Sequence, residues 1–155
     1  MKIRKATIKD TKGLAELYVQ FWEYHKDPTP LFECSVDTNL KNSIKDARLT
    51  IKDKKTNTYV AVENDKIIGY IAFSIVKNIA WFKIRRYCYV DECGVDNNWR
   101  GKGVAKELLE CVIEYCKAKR INYLELKTLV GNELAENVWQ NLDFKKEATV
   151  WFKKI

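Results

Sequence analysis

Residues 95–116 combine two glycines, two cations directly beside them and a helical pattern of apolar residues. Arg100, Gly101, Lys102 and Gly103 stand directly before that pattern begins. The first amides of a helix lack partners inside the helix and carry the positive end of its dipole. Because glycine has no Cβ, a phosphate can approach those amides closely, and the two cations add charge beside it. The spacing therefore predicts a pyrophosphate-binding site in the first turn of a helix.

This stretch differs from the two best-known phosphate-binding motifs. It is not a Walker motif, because no Gly-Lys-Ser/Thr follows at the required spacing. It is not Gly-x-Gly-x-x-Gly either, because position 106 is a lysine. The residues leave one alternative open, a basic helix start whose glycines serve only tight packing.

The elements around this stretch predict a mixed sheet with helices on its faces. Apolar residues alternate or run together at strand spacing in six places, and recur at helical spacing in four. Hairpin strands come first and strand–helix alternation follows, which is typical of an α/β (α+β) fold in one domain over residues 1–155. The predicted strands are 1–8, 59–63, 67–76, 86–95, 124–129 and 149–153. The predicted helices are one that follows a cap at Asp10 or Thr11 and is broken at Asp27, and those over 38–50, 100–119 and 132–142.

The composition of the chain limits the classes of partner that it is expected to bind. The net charge of +7 is uneven, since residues 16–37 are acidic and residues 41–55 are basic. A uniform nucleic-acid surface would not carry such an acidic segment, so we expect no nucleic-acid partner. No apolar run is long enough to span a membrane, and we expect a cytoplasmic protein with no membrane contact. Five cysteines and one histidine, without Cys-x-x-Cys spacing, favour reduced thiols and no metal site.

Two motifs resemble a known family, the GNAT acetyltransferases. Arg100-Gly-Lys-Gly-Val-Ala105 fits the family's Arg/Gln-x-x-Gly-x-Gly/Ala motif, and Tyr89–Val95 looks like the strand before it. The order of elements also matches from residue 1 to 155. The resemblance implies a GNAT-like fold, acetyl-CoA as co-substrate and transfer of acetyl to an amine acceptor; a homodimer is expected on resemblance alone. A downstream segment fits the family with two departures, at Trp139 and Asp143, and its matching residues are Asn132, Ala135 and Phe144.

The resemblance also implies where acyl-CoA binds. Backbone amides at the glycine-rich turn would hold the pyrophosphate, and the pantetheine arm would pair with the end of the preceding strand like an added strand. Asn132 would contact the arm from the other side. Gly94 would allow a bulge in that strand. The implied cofactor-binding residues are Cys93, Gly94, Val95, Arg100, Gly101, Lys102, Gly103, Val104, Ala105, Lys106 and Asn132.

Asp91 and Glu92 are candidates for the base that removes a proton from the acceptor amine. Asp91 matches the family's frequent acidic position. Strand alternation predicts that the two side chains point to opposite faces of the sheet. At most one of them should therefore face the cleft that would hold the pantetheine arm. A carboxylate pair in solvent at the strand end is the alternative. A backbone amide, expected at Cys93, could polarise the thioester carbonyl.

Trp139 stands where the family often has a tyrosine that acts as an acid. An indole donates a hydrogen bond but does not titrate. We therefore expect slower turnover, another acid, or a role without catalysis, and the sequence does not decide among these. Asp143, in place of a glycine, should alter one turn and little else.

The acceptor site is expected along residues 21–32, where aromatic and acidic residues alternate. In the family this region borders the acceptor, and aromatics with carboxylates suit a cationic amine. Trp22, Glu23, Tyr24 and Asp27 are the expected substrate residues. The alternative is that the aromatics are core and the acids are solvated. A catalytically weak acyl-CoA-binding regulatory protein and a basic nucleic-acid-binding module are the other functions that we consider.

Overall fold

A five-stranded sheet with helices on both faces forms in residues 1–24, 39–151 and 153, which the computed structural model describes. Two short 3₁₀ turns, Ile8–Asp10 and Asn97–Trp99, precede the first and third helices. The elements in chain order are β1 (Lys2–Lys5), α1 (Thr11–Tyr24), α2 (Leu40–Lys52), β2 (Thr56–Glu63), β3 (Lys66–Lys77), β4 (Arg86–Val95), α3 (Val104–Ala118), β5 (Leu124–Leu126) and α4 (Glu133–Asn141).

The sheet has the order β1-β2-β3-β4-β5, and all neighbours are antiparallel except β4 and β5. The pairing of β4 with β5 ends at Val90 opposite Leu126. The pairing of β4 with β3 continues to Val95 opposite Gly69. The two parallel strands are therefore no longer paired beyond Val90. The mixed, mostly antiparallel sheet is confirmed.

Helices pack on both faces of the sheet through the stripes that the sequence predicted. On α3 the buried residues recur at helical spacing, and they pack with Phe73, Cys88 and Val90. On the other face, α1 and α2 pack against Val60 and Tyr70. Burying one such side chain contributes about 1.5–3 kcal/mol to folding. The buried stripe residues are Val104, Leu108, Leu109, Val112 and Cys116 of α3, Leu14, Leu17 and Tyr18 of α1, and Ala47 of α2.

The sequence overestimated strands at both ends of the chain. The strand predicted over 149–153 is absent from its described residues, 149–151 and 153, and Trp151 is 88% exposed. Alternating apolar residues supply only propensity, whereas a strand also needs a partner and a buried face. β5 is shorter than predicted because β4 turns away after Val90. β1 ends early because the chain turns at Thr7, whose N–H donates to Asp10 Oδ2 at 2.7 Å.

Among the described residues, no helix has both the length and the apolar character needed to cross a membrane.

Candidate active site

The glycine-rich turn lies between β4 and α3, where the chain changes direction. Gly101 and Gly103 have φ of +71° and +80°, the left-handed region that L side chains disfavour. The helix begins only at Val104, so the expectation that both glycines lie in its first turn is wrong. A Cβ added to either glycine would meet no atom within 4 Å. The turn is therefore open on the side where a ligand can approach its backbone.

Two cations flank this turn, and each lies over an aromatic ring. The guanidinium of Arg100 is 5.1 Å from the ring centroid of Tyr24, and its Nε donates to the Val95 carbonyl at 3.4 Å. The ammonium of Lys102 is 4.9 Å from the ring of Trp99. Together with the first amides of α3, at Val104, Ala105 and Lys106, they form a positive surface suited to a phosphate.

A buried carboxylate anchors the start of this loop. Asp96 is 2% exposed and accepts hydrogen bonds from Asn98 N at 3.0 Å, Lys66 Nζ at 3.2 Å and Gln20 Nε2 at 3.3 Å. Burial opposes the charged form, but these bonds outweigh it and lower the pKa of Asp96 below its ordinary value. The loop is thus fixed to both α1 and β3.

Sequence reasoning missed Asp96, Lys66 and Gln20. The signal for Gln20 was present, since it is the one polar residue in the apolar run Leu17–Trp22. A polar residue at such a position usually bonds to something buried. The partner itself is 76 positions away along the chain and could not be named.

The open edge of β4 runs from Cys93 to Val95. On one side these residues pair with β3, and among the described residues no strand pairs with the other side beyond Val90. Gly94 is needed for another reason than the expected bulge. A Cβ there would lie 2.4 Å from Cε1 of Tyr70, so the tyrosine ring occupies the space. This edge can pair with an extended ligand.

The bulge lies instead at Asp91. Val90 is opposite Phe73 and Glu92 is opposite Ala72, which leaves Asp91 as the extra residue. Such a bulge breaks the alternation of side chains. The expectation that Asp91 and Glu92 point to opposite faces is therefore wrong.

Both carboxylates point to the α1–α2 face. Ser74 Oγ donates to Asp91 Oδ1 at 3.4 Å, and Tyr70 OH donates to Glu92 Oε2 at 3.3 Å. Tyr70 and Ser74 lie on one face of β3, four residues apart. The bulge thus gathers two acids in one place.

Glu92 is the stronger proton acceptor of the two. Burial raises its pKa to about 7, the bond from Tyr70 lowers it, and the charges of Asp91 and Asp46 raise it. The pKa of Asp91 is also raised, mainly by loss of solvent around its carboxyl, but the residue as a whole is exposed. A carboxyl that titrates near neutral pH is suited to accept a proton and release it again.

Next to Glu92 lies a buried pair of tyrosines. The rings of Tyr18 and Tyr70 are 5.0 Å apart, and burial raises the pKa of both hydroxyls. The Tyr18 hydroxyl is buried; no geometric hydrogen bond reaches it from the residues that the structure describes, while the Thr50 side chain is close enough to lower its pKa. A neutral donor at this place can serve a polar ligand.

The thiols do not form a nucleophile or a metal site in the described residues. Cys88, Cys93, Cys111 and Cys116 are free, and burial raises the pKa of Cys93 to about 12. The thiolate is the reactive form, so Cys93 is inert at neutral pH. Within the described ranges, no three His, Cys, Asp or Glu side chains could hold a metal ion together. Cys34 lies outside those ranges.

Asn132 stands directly before α4, and Trp139 lies within that helix. The side-chain oxygen of Asn132 caps α4 by accepting from Ala135 N at 3.1 Å. Trp139 is half-buried and packs at 5.5 Å against the ring of Phe144. Asp143 adopts φ of +65°, the backbone conformation for which the family's glycine is suited. That departure is thus confined to a single turn.

The four expected acceptor residues separate in the structure. Trp22 is half-buried against the core between α1 and the sheet, and Glu23 is exposed. Tyr24 lies beside Arg100 and so borders the glycine-rich turn. Asp27 lies outside the described residues.

The comparison with family models gives one match across most of the chain. Residues 12–144 match the model described as "Acetyltransferase (GNAT) family". The matched range contains the glycine-rich turn, the bulge in β4 and the whole of helix α4.

Curated relatives cover a smaller region. The chain is 31% identical over 91 residues to the L-2,4-diaminobutyric acid acetyltransferase of Marinococcus halophilus, over 59% of this chain and 50% of that protein. It is 28% identical over 89 residues to N-alpha-acetyltransferase 30 of Saccharomyces cerevisiae, over 56% of this chain and 51% of that protein. The chain therefore spans about half the length of these relatives.

Solved structures share the fold over almost the whole chain. The tetramutant of the BH1408 protein from Bacillus halodurans has a TM-score of 0.85 at 23% identity and covers 100% of both chains. The aminoglycoside N-acetyltransferase AAC(6')-Iy, in complex with CoA, has a TM-score of 0.77 at 19% identity, over 99% of this chain and 93% of that one. At such identities the likeness establishes the fold alone.

Proposed function

Since this chain belongs to the GNAT acetyltransferase family, we propose that it is an acyl-CoA-dependent N-acetyltransferase. It moves an acetyl group from acetyl-CoA to a primary amine of a small cationic molecule or a protein. One observation carries the proposal, the arrangement of residues 92–103. This stretch contains Glu92, whose pKa is about 7, then a strand edge with which no described strand pairs, and then an open glycine-rich turn.

The chain's own residues fit the phosphate and pantetheine parts of acetyl-CoA. The turn at Gly101 and Gly103 leaves free the space that a Cβ would fill, and the first amides of α3 follow it. The unpaired edge of Cys93–Val95 can bond an extended arm. Acetyl-CoA supplies an activated thioester, and the remaining chemistry belongs to the protein.

Glu92 acts as the general base. The acceptor amine must lose a proton to attack the thioester carbonyl, and a carboxylate with a pKa near 7 takes it at physiological pH. A backbone N–H at Cys93 polarises the carbonyl. A thiol with a pKa of about 8.5 leaves without an acid, so Trp139 need not donate a proton.

The carboxylates around Glu92 support a cationic acceptor. Asp91, Asp46 and Asp53 are close enough to influence the pKa values of the two acids in the bulge. These carboxylates are a local source of negative charge that attracts an ammonium group, although α2 is otherwise basic. Two relatives are named as an L-2,4-diaminobutyric acid acetyltransferase and an N-alpha-acetyltransferase. These names are compatible with either a small diamine or a peptide amine as the acceptor.

A catalytically weak acyl-CoA-binding protein is the second candidate, and Trp139 is the observation that favours it. The indole occupies the position of the family's acid and packs on Phe144. The homodimer, the cytoplasmic location and the single domain over residues 1–155 are further proposals from the resemblance and the sequence.

The decisive experiment is an assay by mass. We would incubate the protein with acetyl-CoA and a panel of polyamines, amino-sugars, amino acids and lysine peptides, and quantify free CoA and acetylated products. We expect one acceptor class to yield product. Tight CoA binding without any product would favour the second candidate.

A pair of variants tests the phosphate turn in the same assay. Gly103→Glu and Gly103→Lys strain the backbone equally, because φ is +80° at that residue. Only the first places a carboxylate where a phosphate should bind. We expect Gly103→Glu to abolish CoA binding and Gly103→Lys to retain a measurable part. Equal affinities for the two variants would remove the phosphate-binding assignment.

A further inference from the structure

We propose that Gln20 and Tyr24 are positioning residues that hold residues 96–103 in their phosphate-binding form. They set the affinity for the phosphate-bearing part of acetyl-CoA and leave the chemical step unchanged. This inference rests on the proposed function, since it needs the glycine turn to bind phosphate. The two residues are four positions apart on α1, so they lie on the same face of that helix.

Gln20 bonds the loop with both ends of its side-chain amide. Its Nε2 donates to Asp96 Oδ2 at 3.3 Å, and its Oε1 accepts from Asn97 N at 3.1 Å. A carboxylate only accepts and an amide N–H only donates, so these partners fix which end of the Gln20 amide faces which atom. Because Asp96 is almost fully buried, the loss of one of its donors is costly.

Tyr24 lies one helical turn after Gln20 and contacts Arg100, a cation within the loop. Its ring lies 5.1 Å from the guanidinium of Arg100, whose Nε also donates to the Val95 carbonyl at 3.4 Å. Two contacts from different directions limit how far the guanidinium can move. Without the ring, Arg100 would lose one of these two contacts, and less of its charge would be held at the turn.

The hydrogen bonds of the Gln20 side chain lie at the loop and not at the bulge. Gln20 bonds to Asp96 and Asn97, whereas Glu92 bonds to Tyr70. A defect at α1 should therefore appear in the binding of the phosphate groups. The same defect should not appear with a thioester donor that has no phosphate group.

The test compares two donors, acetyl-CoA and S-acetylpantetheine, which lacks all phosphates. We would measure KM and kcat for wild type, Gln20→Ala, Gln20→Glu, Tyr24→Ala and Tyr24→Phe, and Kd for CoA by calorimetry. Glu16→Ala is the matched control, because Glu16 is exposed on the same helix one turn before Gln20. Melting temperatures identify any variant that fails to fold.

For Gln20 we expect an effect on acetyl-CoA only. Gln20→Ala should raise the KM for acetyl-CoA and the Kd for CoA about ten-fold, through two lost hydrogen bonds. Gln20→Glu should be worse, because a second carboxylate then faces Asp96. In both variants, kcat at saturating acetyl-CoA and kcat/KM for S-acetylpantetheine should stay within two-fold of wild type.

For Tyr24 we expect a smaller effect that the ring alone restores. Tyr24→Ala should raise the KM for acetyl-CoA about three-fold, and Tyr24→Phe should return it to the wild-type value. Equal losses with both donors, or a lower kcat, would overturn the inference and leave a structural role only. Failure of the proposed function is distinct. A wild type that binds CoA but forms no product would still test the inference through the Kd for CoA, and a wild type that binds no CoA would overturn both.

Discussion

Two acidic positions of the same stretch, Glu92 in β4 and Asp96 just after it, have opposite electrostatic properties. Asp96 is 2% exposed, yet its pKa is lowered because three donors reach its carboxylate and together outweigh the loss of solvent. Glu92 has one bond of 3.3 Å from Tyr70, and burial raises its pKa to about 7. The balance between donors and loss of solvent decides whether a carboxylate anchors the chain or accepts a proton.

Asp10 shows that the anchoring type is also used elsewhere in this fold. Arg4 donates two bonds of 2.7 Å to it, and these bonds, with those from Thr7, lower its pKa to about 2 against the opposing effect of burial. Asp10 lies on the turn before α1, away from the bulge. Its charge is fully satisfied, so it orders that turn and is not available for chemistry.

The largest expected effect comes from Glu92→Gln. The amide keeps the shape and can still accept from Tyr70, but it cannot take a proton from the amine. We expect kcat to fall by about 10²–10⁴-fold while the KM for acetyl-CoA stays within two-fold, in steady-state assays by mass. An unchanged kcat would show that Glu92 is not the base and would break the contrast with Asp96.

The pH dependence supplies the control for that variant. Wild-type kcat should rise with pH and reach half its maximum near pH 7, because only ionised Glu92 accepts a proton. The raised pKa also has a stability consequence. Its contribution favours the fold below the ordinary pKa of glutamate and is lost as pH rises through 7. Glu92→Gln should therefore gain stability over wild type between pH 5 and 8, by chemical denaturation, and should lose the acid limb of the rate profile.

The sequence predicted the helical faces and the glycine-rich turn before α3 because these depend on local patterns. The stripe of α3 and the glycines before it can be recognised from spacing alone. The orientation of Asp91 and Glu92 could not be predicted, because it depends on a bulge that only the pairing of β3 and β4 defines. A one-residue change of register reverses every later side chain, and no residue type in this strand marked that position.

The anchoring of the loop was equally beyond a sequence argument. Asp96 obtains its donors from α1 and from the start of β3, which are distant along the chain. The final strand failed for the related reason that propensity does not supply a partner strand. Periodicity thus located the elements, whereas contacts between elements decided which acids are charged.

A smaller effect is expected from Asp96→Asn. The amide cannot accept from Lys66, Gln20 and Asn98 together, and its own NH₂ must face one of these donors. We expect the KM for acetyl-CoA to rise about five-fold, stability to fall by about 1–3 kcal/mol, and kcat at saturation to hold.

The pH sign for Asp96 is opposite to that for Glu92. Its lowered pKa means that its stabilisation is present at neutral pH and is lost on acidification, so the stability gap between wild type and Asp96→Asn should narrow towards pH 3. A gap that widened in acid, or a loss of kcat instead of affinity, would show that Asp96 is not the anchor.

The smallest effect is expected from Asp91→Asn, and it sharpens the comparison most. The charge of Asp91 is one cause of the raised pKa of Glu92, so its removal should lower that pKa. The midpoint of the kcat–pH profile should therefore move to lower pH, while kcat on the alkaline plateau changes no more than about three-fold. Ser74→Ala serves as the control, because it removes the bond to Asp91 without removing the charge. A midpoint that stays in place together with a hundred-fold loss of kcat would make Asp91 the base and Glu92 its neighbour.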